Sequence, residues 1–171
     1  WMELKMIFIT GDTHGSIDIA KLKQLKNKNL TKSDFLIICG DFGCVWYGGN
    51  KDKYWLKWFN NKPYTVLFCD GNHENFNLLN NYPVEYFHGG KVHKIMPSVY
   101  HLMRGQVFDL NNNKIFVMGG AESTDKEYRK ENISWWKNEL PNNSEYAEAE
   151  KNLDHVDRNV DFIVTHCAPN S

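Results

Sequence analysis

Four short runs in this 171-residue chain carry side chains able to hold cations: Asp12-Thr13-His14, Gly40-Asp41, Gly71-Asn72-His73-Glu74 and Thr165-His166. Asp12 and His14 alternate by two, so both can turn toward one point. Carboxylate, imidazole and amide donors together suit Mn, Fe(II) or Zn better than Ca or a thiolate-preferring ion. A carboxylate such as Asp41 can bridge two cations about 3.5 Å apart and so hold a shared hydroxide between them. One Asp-x-His can be a surface acid or a helix cap, and one Gly-Asp can be a simple turn. Four such runs, each just after a strand-like apolar segment, are much harder to explain as turns.

The segments that precede these runs set the expected fold. Residues 6–10, 34–39 and 64–69 read as apolar strands. Helices are expected between them at 17–29, where apolar residues fall at 19, 22 and 25, and at 52–59 before Pro63. Strand and helix in alternation mark a parallel α/β sheet with right-handed crossovers, and such sheets place their sites where strands end. After residue 80 the pattern changes to short strands at 92–96, 99–103, 106–110 and 114–118, with Asn111-Asn112-Asn113 as a hairpin turn. Helices are expected at 126–140 and 145–159, and a last strand at 160–165 ends in His166. The expected architecture is one α/β domain over residues 1–171, a layered, mostly β-sheet core flanked by helices.

With these motifs in order, the chain resembles the calcineurin-like metallophosphoesterase family, whose pattern runs D-x-H, G-D, G-N-H-E, H and G-H-x-H. The first four parts correspond to Asp12/His14, Gly40-Asp41, Gly71-Asn72-His73-Glu74 and His166. The stretch Gly119-Gly-Ala-Glu-Ser-Thr-Asp-Lys126 is similar to one in small single-domain members of bacteria and phages. The resemblance implies a metallophosphoesterase-like sandwich and two divalent metals: Mn first, with Fe, Zn or Ni as alternatives. It places Asp12 and His14 on the first metal, Asp41 between both, and Asn72 and His166 on the second. His73 is the histidine that steadies the transition state and protonates the leaving oxygen. Hydroxide held by two cations would attack phosphorus in line with the ester oxygen, while the cations offset the charge that builds up. The reaction implied is hydrolysis of a phosphoester, with Asp41 and His73 as its catalytic groups.

The family's last motif, Gly-His-x-His, has no counterpart here, so each metal lacks one ligand of the family set. Two expectations follow. Either the natural chain continues past Ser171 and the sheet lacks its last strands, or the chain is a catalytically impaired binding or regulatory module that keeps the fold. Loss of strands would leave an edge or apolar patch through which another chain could associate.

Further residues carry two readings each. Asn72 could touch substrate as well as metal. Trp46 and Tyr47 could wall the organic part of an ester or pack against the next helix. Arg104, before Gly105, could clamp a phosphate or form a surface ion pair. Asp125, Lys126 and Arg129 read as solvent-facing charge, and His88, His93, His101 and His155 as structural or exposed residues. Glu74 could orient His73 or cap the following helix.

Composition limits the alternatives. Lys and Arg number 20 against 21 Asp and Glu, which does not favour a nucleic-acid partner. Bound cations would still admit an anionic substrate, either a small molecule or a phosphoprotein. No apolar run is long enough to span a membrane. Cys39, Cys44, Cys69 and Cys167 lack a CxxC arrangement and read as reduced thiols of a cytoplasmic protein.

Overall fold

β1 (Ile7–Thr10), β2 (Phe35–Cys39) and β3 (Thr65–Cys69) lie side by side in parallel in the computed structural model, which describes residues 5–25 and 29–168. Three strands continue this sheet, β4 (Val84–Phe87), β5 (Gly90–Met96) and β6 (Val99–Leu102), to give the order β1-β2-β3-β6-β5-β4. β6 runs parallel to β3, and β5 and β4 follow it antiparallel. A second sheet holds β7 (Gln106–Leu110), β8 (Asn113–Met118) and β9 (Phe162–Thr165), with β8 parallel to β9. The β7–β8 hairpin turns through Asn111 and Asn112, whose φ values of 54° and 63° suit the primed turn expected of an Asn run.

Alternation within the central strands builds two cores. Leu36, Ile38, Val66 and Phe68 point to one face, where Leu56 and Phe59 of α1 (Asn50–Asn60) cover them. Phe35, Ile37, Leu67 and Cys69 point to the other face and meet Phe108, Ile115, Val117 and Val164 of the second sheet. Burial on both faces explains why β2 and β3 are apolar throughout. β9 is different: Phe162 and Ile163 are 52% and 66% exposed. All four cysteines are free thiols.

Two expected helices change form. The segment 17–29 yields only a short 3-10 stretch, Ile19–Leu25, and residues 26–28 lie outside the described ones. The expected helix at 126–140 is replaced by 3-10 turns at Lys126–Tyr128 and Lys137–Glu139. Asn132 there has a φ of 61°, Trp136 is fully buried, and Glu139 turns inward to accept bonds from Ser123. Those tertiary anchors outweigh the helical tendency of the charged sequence. The helix expected at 145–159 forms as α3 (Asn143–His155), with Asn142 accepting from the Ser144 and Glu145 amides. β4 has no counterpart in the sequence reading, and the short helix expected after Glu74 forms as α2 (Phe76–Leu79).

Candidate metal centre

The polar runs converge where β1, β2, β3 and β9 end. Asp41 is 4% exposed and lies at the middle of the group. His14 Nε2 is 3.2 Å from its Oδ2, and His166 Nε2 is 3.5 Å from its Oδ1. The His73 amide donates to Asp41 Oδ1 at 2.8 Å, which fixes the carboxylate. Ligand atoms of His14, Asp41 and His73 all fall within 4.8 Å of one another. Asp12 is further out, with its Oδ1 3.7 Å from His166 Nδ1 and its side chain 43% exposed. Asn72 donates from Nδ2 to Ser123 Oγ at 3.2 Å, an orientation its amide oxygen inherits.

Both outer histidines are oriented from behind. His166 Nδ1 is 2.8 Å from the Cys39 carbonyl, which can only accept, so Nδ1 carries a proton and, in the neutral ring, Nε2 is the acceptor beside Asp41. His14 Nδ1 lies 2.9 Å from Asp18 Oδ2 and does the same. A histidine held through one nitrogen by an oxygen, with the other nitrogen free, is the arrangement that metal-binding histidines adopt. The donor set of imidazoles, carboxylates and an amide therefore fits divalent cations of the Mn, Fe or Zn type.

The backbone is shaped around this cluster. His14 and Asp41 have φ values of 44° and 46°, a left-handed conformation uncommon for side-chain-bearing residues, though Asp and His adopt it more readily than most. A Cβ on Gly40 would overlap the His166 ring, and a Cβ on Gly71 would overlap the Asp41 carboxylate. The two glycines thus serve close approach between strand ends rather than turn freedom alone.

His73 is half-buried, with its ring edge-on to that of His14 at 5.3 Å. Burial pushes its imidazole below the usual value; Asp41 draws it back up, and the Arg129 guanidinium pushes it down again. Arg129 Nη2 is 3.3 Å from His73 Nε2. An arginine can only donate, so Nε2 accepts and the neutral ring carries its proton on Nδ1. Arg129 also pairs with Asp125 at 2.7 Å and donates to the Ser134 carbonyl at 3.1 Å. The sequence reading of Arg129 as plain solvent-facing charge is thereby corrected, whereas the Asp125 side chain is solvent-facing as expected. The signal that could have found them is the Gly119–Lys126 stretch just before Arg129, noted in the sequence for its resemblance alone.

Arg104 is the second correction. It is 7% exposed; its Nε donates to Asp70 Oδ2 at 2.9 Å and its Nη2 pairs with the same oxygen, while Nη1 reaches Glu145. Its guanidinium is occupied inside the protein, so it is neither a phosphate clamp nor a surface ion pair. Glu74 also differs from both of its expected roles. It is fully buried and accepts from the Phe42 amide at 2.6 Å, bracing the turn that carries Asp41, while Asn75 caps the next helix. Burial, with Asp41 nearby, pushes the Glu74 carboxyl well above its usual range. Trp46 and Tyr47 do reach the site. The Trp46 ring lies 6.0 Å from that of His73 at an interplanar angle of 25°, and both residues line a cleft that opens beside His14 and His73.

His93 and His101 are structural, as expected. Their Nδ1 atoms are 2.9 Å apart and His101 Nε2 is 3.1 Å from Asp70 Oδ1. No helix of the described residues is long and apolar enough to cross a membrane.

A two-sheet α/β fold with a strand-end cluster of oriented histidines around one buried carboxylate defines the molecule as a metal-site protein of hydrolase type. The family model of the calcineurin-like phosphoesterases matches residues 5–170, nearly the whole chain, and the protein belongs to that family. No curated protein and no solved structure matches it. Membership carries metal-dependent phosphoester hydrolysis as the general chemistry.

Proposed function

We propose that the chain hydrolyses a phosphoester at a site of two divalent cations, with Mn as the first choice and Fe, Zn or Ni as alternatives. The observation that carries this reading is the pair of histidines, His14 and His166, each bound through Nδ1 to an oxygen and each presenting Nε2 to Asp41. Asp12 and His14 would hold one cation, Asn72 and His166 the other, and Asp41 both. When bound, the cations supply an activated water and offset the charge that develops on the phosphoryl oxygens.

The chain's own residues then have separable tasks. Asp41 is held by the His73 amide, so its two oxygens stay aimed at the two histidines. Ser123 turns the Asn72 side chain, and is itself held by Glu139 through both its amide and its hydroxyl. His73, once protonated to the imidazolium, would supply a proton to the leaving oxygen and return to the neutral ring. Arg129, beside it, offers guanidinium hydrogens to a phosphoryl oxygen and takes the task that the sequence reading gave to Arg104. Asn72, Trp46 and Tyr47 complete the substrate contacts. The proposed setting is the cytoplasm, and the substrate a small molecule or a phosphoprotein rather than nucleic acid.

The test is hydrolysis of a generic aryl phosphate with added Mn²⁺, comparing the wild-type chain with His73→Ala. Turnover that falls about 10²–10⁴-fold in the variant while metal content is kept is the expected result. Absence of His73-sensitive turnover under every divalent metal would sink the reading. Full metal occupancy without turnover would instead favour the impaired binding module.

A further inference from the structure

Beside the metal centre the protein has built an aromatic cleft that the chemistry at phosphorus does not need. The cleft holds about 230 Å³ and begins at His14 and His73. It then runs between the Gly15–Ile17 backbone and the segment 43–55, and its walls are Ile17, Trp46, Tyr47, Lys51 and Trp55. A phosphoryl group held at Asp41, His14 and His73 would leave its organic substituent at the mouth of this cleft.

The walls are fixed before any ligand arrives. Asp52, 5% exposed, accepts from the amides of Trp46, Tyr47 and Gly48 at 2.8, 2.7 and 2.8 Å through one carboxylate oxygen. Trp46 stands edge-on to the fully buried Trp136 at 5.3 Å, and the Asn75 side chain donates to its carbonyl at 2.9 Å. Lys51 sets its ammonium 4.6 Å from the centre of the Tyr47 ring. Tyr47 and Ile17 are nonetheless 63% and 78% exposed, apolar surface left open at the rim. A loop held in place by backbone hydrogen bonds loses little backbone freedom on binding, so more of the stacking there is retained as affinity.

We propose that this cleft is a subsite for a planar aromatic ring, and that the substrates are small phosphoesters whose organic group is a phenol or a nucleobase-bearing nucleoside. The inference rests on the phosphoesterase reading above and adds the substrate class. The size of the cleft suits one ring system and not a folded protein segment. Offset or edge-on packing against Trp46, Trp55 and Tyr47 supplies selectivity without hydrogen-bond readout. Phenols and nucleobases share the planar π-face that such walls recognise.

Binding of phenylphosphonate and of methylphosphonate to the Mn²⁺-loaded protein, measured by calorimetry, separates the ring from the phosphoryl group. Phenylphosphonate should bind about tenfold or more tighter, the scale of one aromatic contact. Trp55→Ala and Tyr47→Ala should each weaken the phenyl compound several-fold and the methyl compound far less. Tyr47 is exposed, so its variant keeps the test valid even where Trp55→Ala fails to fold. Competition by phosphotyrosine and by a purine nucleoside monophosphate then tells a phenol from a nucleobase, and a gain by either over glycerol phosphate supports the subsite. Equal affinity for phenyl and methyl compounds, or binding of neither, overturns it. Ring-selective binding in a protein that hydrolyses no phosphoester would sink the phosphoesterase reading and spare the subsite; unselective binding with turnover intact does the reverse.

Discussion

Two clusters in this molecule are built from the same side chains and put them to opposite ends. Around Asp70, two histidines and an arginine satisfy one another: His93 donates to His101, His101 to Asp70, and Arg104 to the other oxygen of Asp70. All four residues are 7% exposed or less. Burial alone would push the Asp70 carboxyl up, but the His101 hydrogen bond and the Arg104 charge outweigh it and hold the group below its usual range. Around Asp41, by contrast, His14 and His166 spend their N–H groups on outside oxygens and leave lone pairs facing the carboxylate. Lone pairs that face oxygens need a metal ion or a proton between them, whereas N–H groups that face oxygens need nothing more. The direction in which the protons point thus separates a binding site from a structural network with nearly the same composition.

The sharpest way to break this comparison is to remove the central carboxylate of the open cluster. Asp41→Ala is expected to lower turnover by about 10³-fold or more, since the charge stabilisation supplied by bound cations is worth several kcal/mol. Metal content measured by elemental analysis should fall with it. Retention of full metal content would show that Asp41 does not bridge the ions. The matching change in the closed cluster is Arg104→Met. It strands the fully buried Asp70 carboxylate without its counter-ion and should cost about 3–5 kcal/mol of stability. Denaturant midpoints measure this. In protein that remains folded, turnover should stay close to that of the wild-type chain, and a large loss of turnover without loss of stability would place Arg104 at the active site after all.

The metal cluster was legible in the sequence because each of its residues follows an apolar strand directly, so chain order alone brings them to one edge. The parallel core was legible for the same reason: the apolar runs of β2 and β3 are short, continuous and bounded by turn residues. The arginines were not legible. Arg104 and Arg129 both sit in polar loops, and only the tertiary packing of Glu139, Ser123 and Trp136 decides which of the two loops folds over the site. The same packing explains why the charged segment 126–140 is not a helix. Its anchors lie 16 residues apart, between Ser123 and Glu139, and no local pattern reports them.

Exchanging the arginines' expected roles sharpens the comparison further. Arg129→Ala should lower kcat/KM about 10²-fold, the loss typical of one charged or oxyanion-directed donor. Its melting temperature should change little, since its Asp125 partner is exposed. Arg129→Lys should recover only part of the activity, because an ammonium lacks the planar fork that grips two phosphoryl oxygens. An Arg129→Ala protein with unchanged kinetics and a large loss of stability would make Arg129 a second structural arginine and remove it from the site.

The smallest expected effect is a slope of stability with pH, and it too belongs to the closed cluster. Burial, reinforced by the neighbouring His101, lowers His93 from 6.5 to about 4, with Asp70 opposing. Above pH 6.5 the imidazole is neutral in both folded and unfolded chains and contributes no slope. Between 6.5 and about 4 the unfolded chain binds the proton and the folded one does not, so stability falls as the pH falls across that window. His73 is also lowered, and its contribution has the same sign. Asp70, lowered from 3.8, loses its contribution only further down, as the pH drops through its folded value. Glu74, raised well above its usual range, works the other way and gains stability as the pH falls toward 4.5. The readout is therefore the difference between variants: in denaturant melts of the metal-free protein at pH steps from 7 to 4.5, His93→Asn should lose less stability, or gain more, than the wild-type chain, and His73→Ala should shift the profile the same way by a smaller amount. A His93→Asn profile that runs parallel to that of the wild-type chain would mean that the Asp70 cluster takes up a proton without opening, and the contrast between the two clusters would fail.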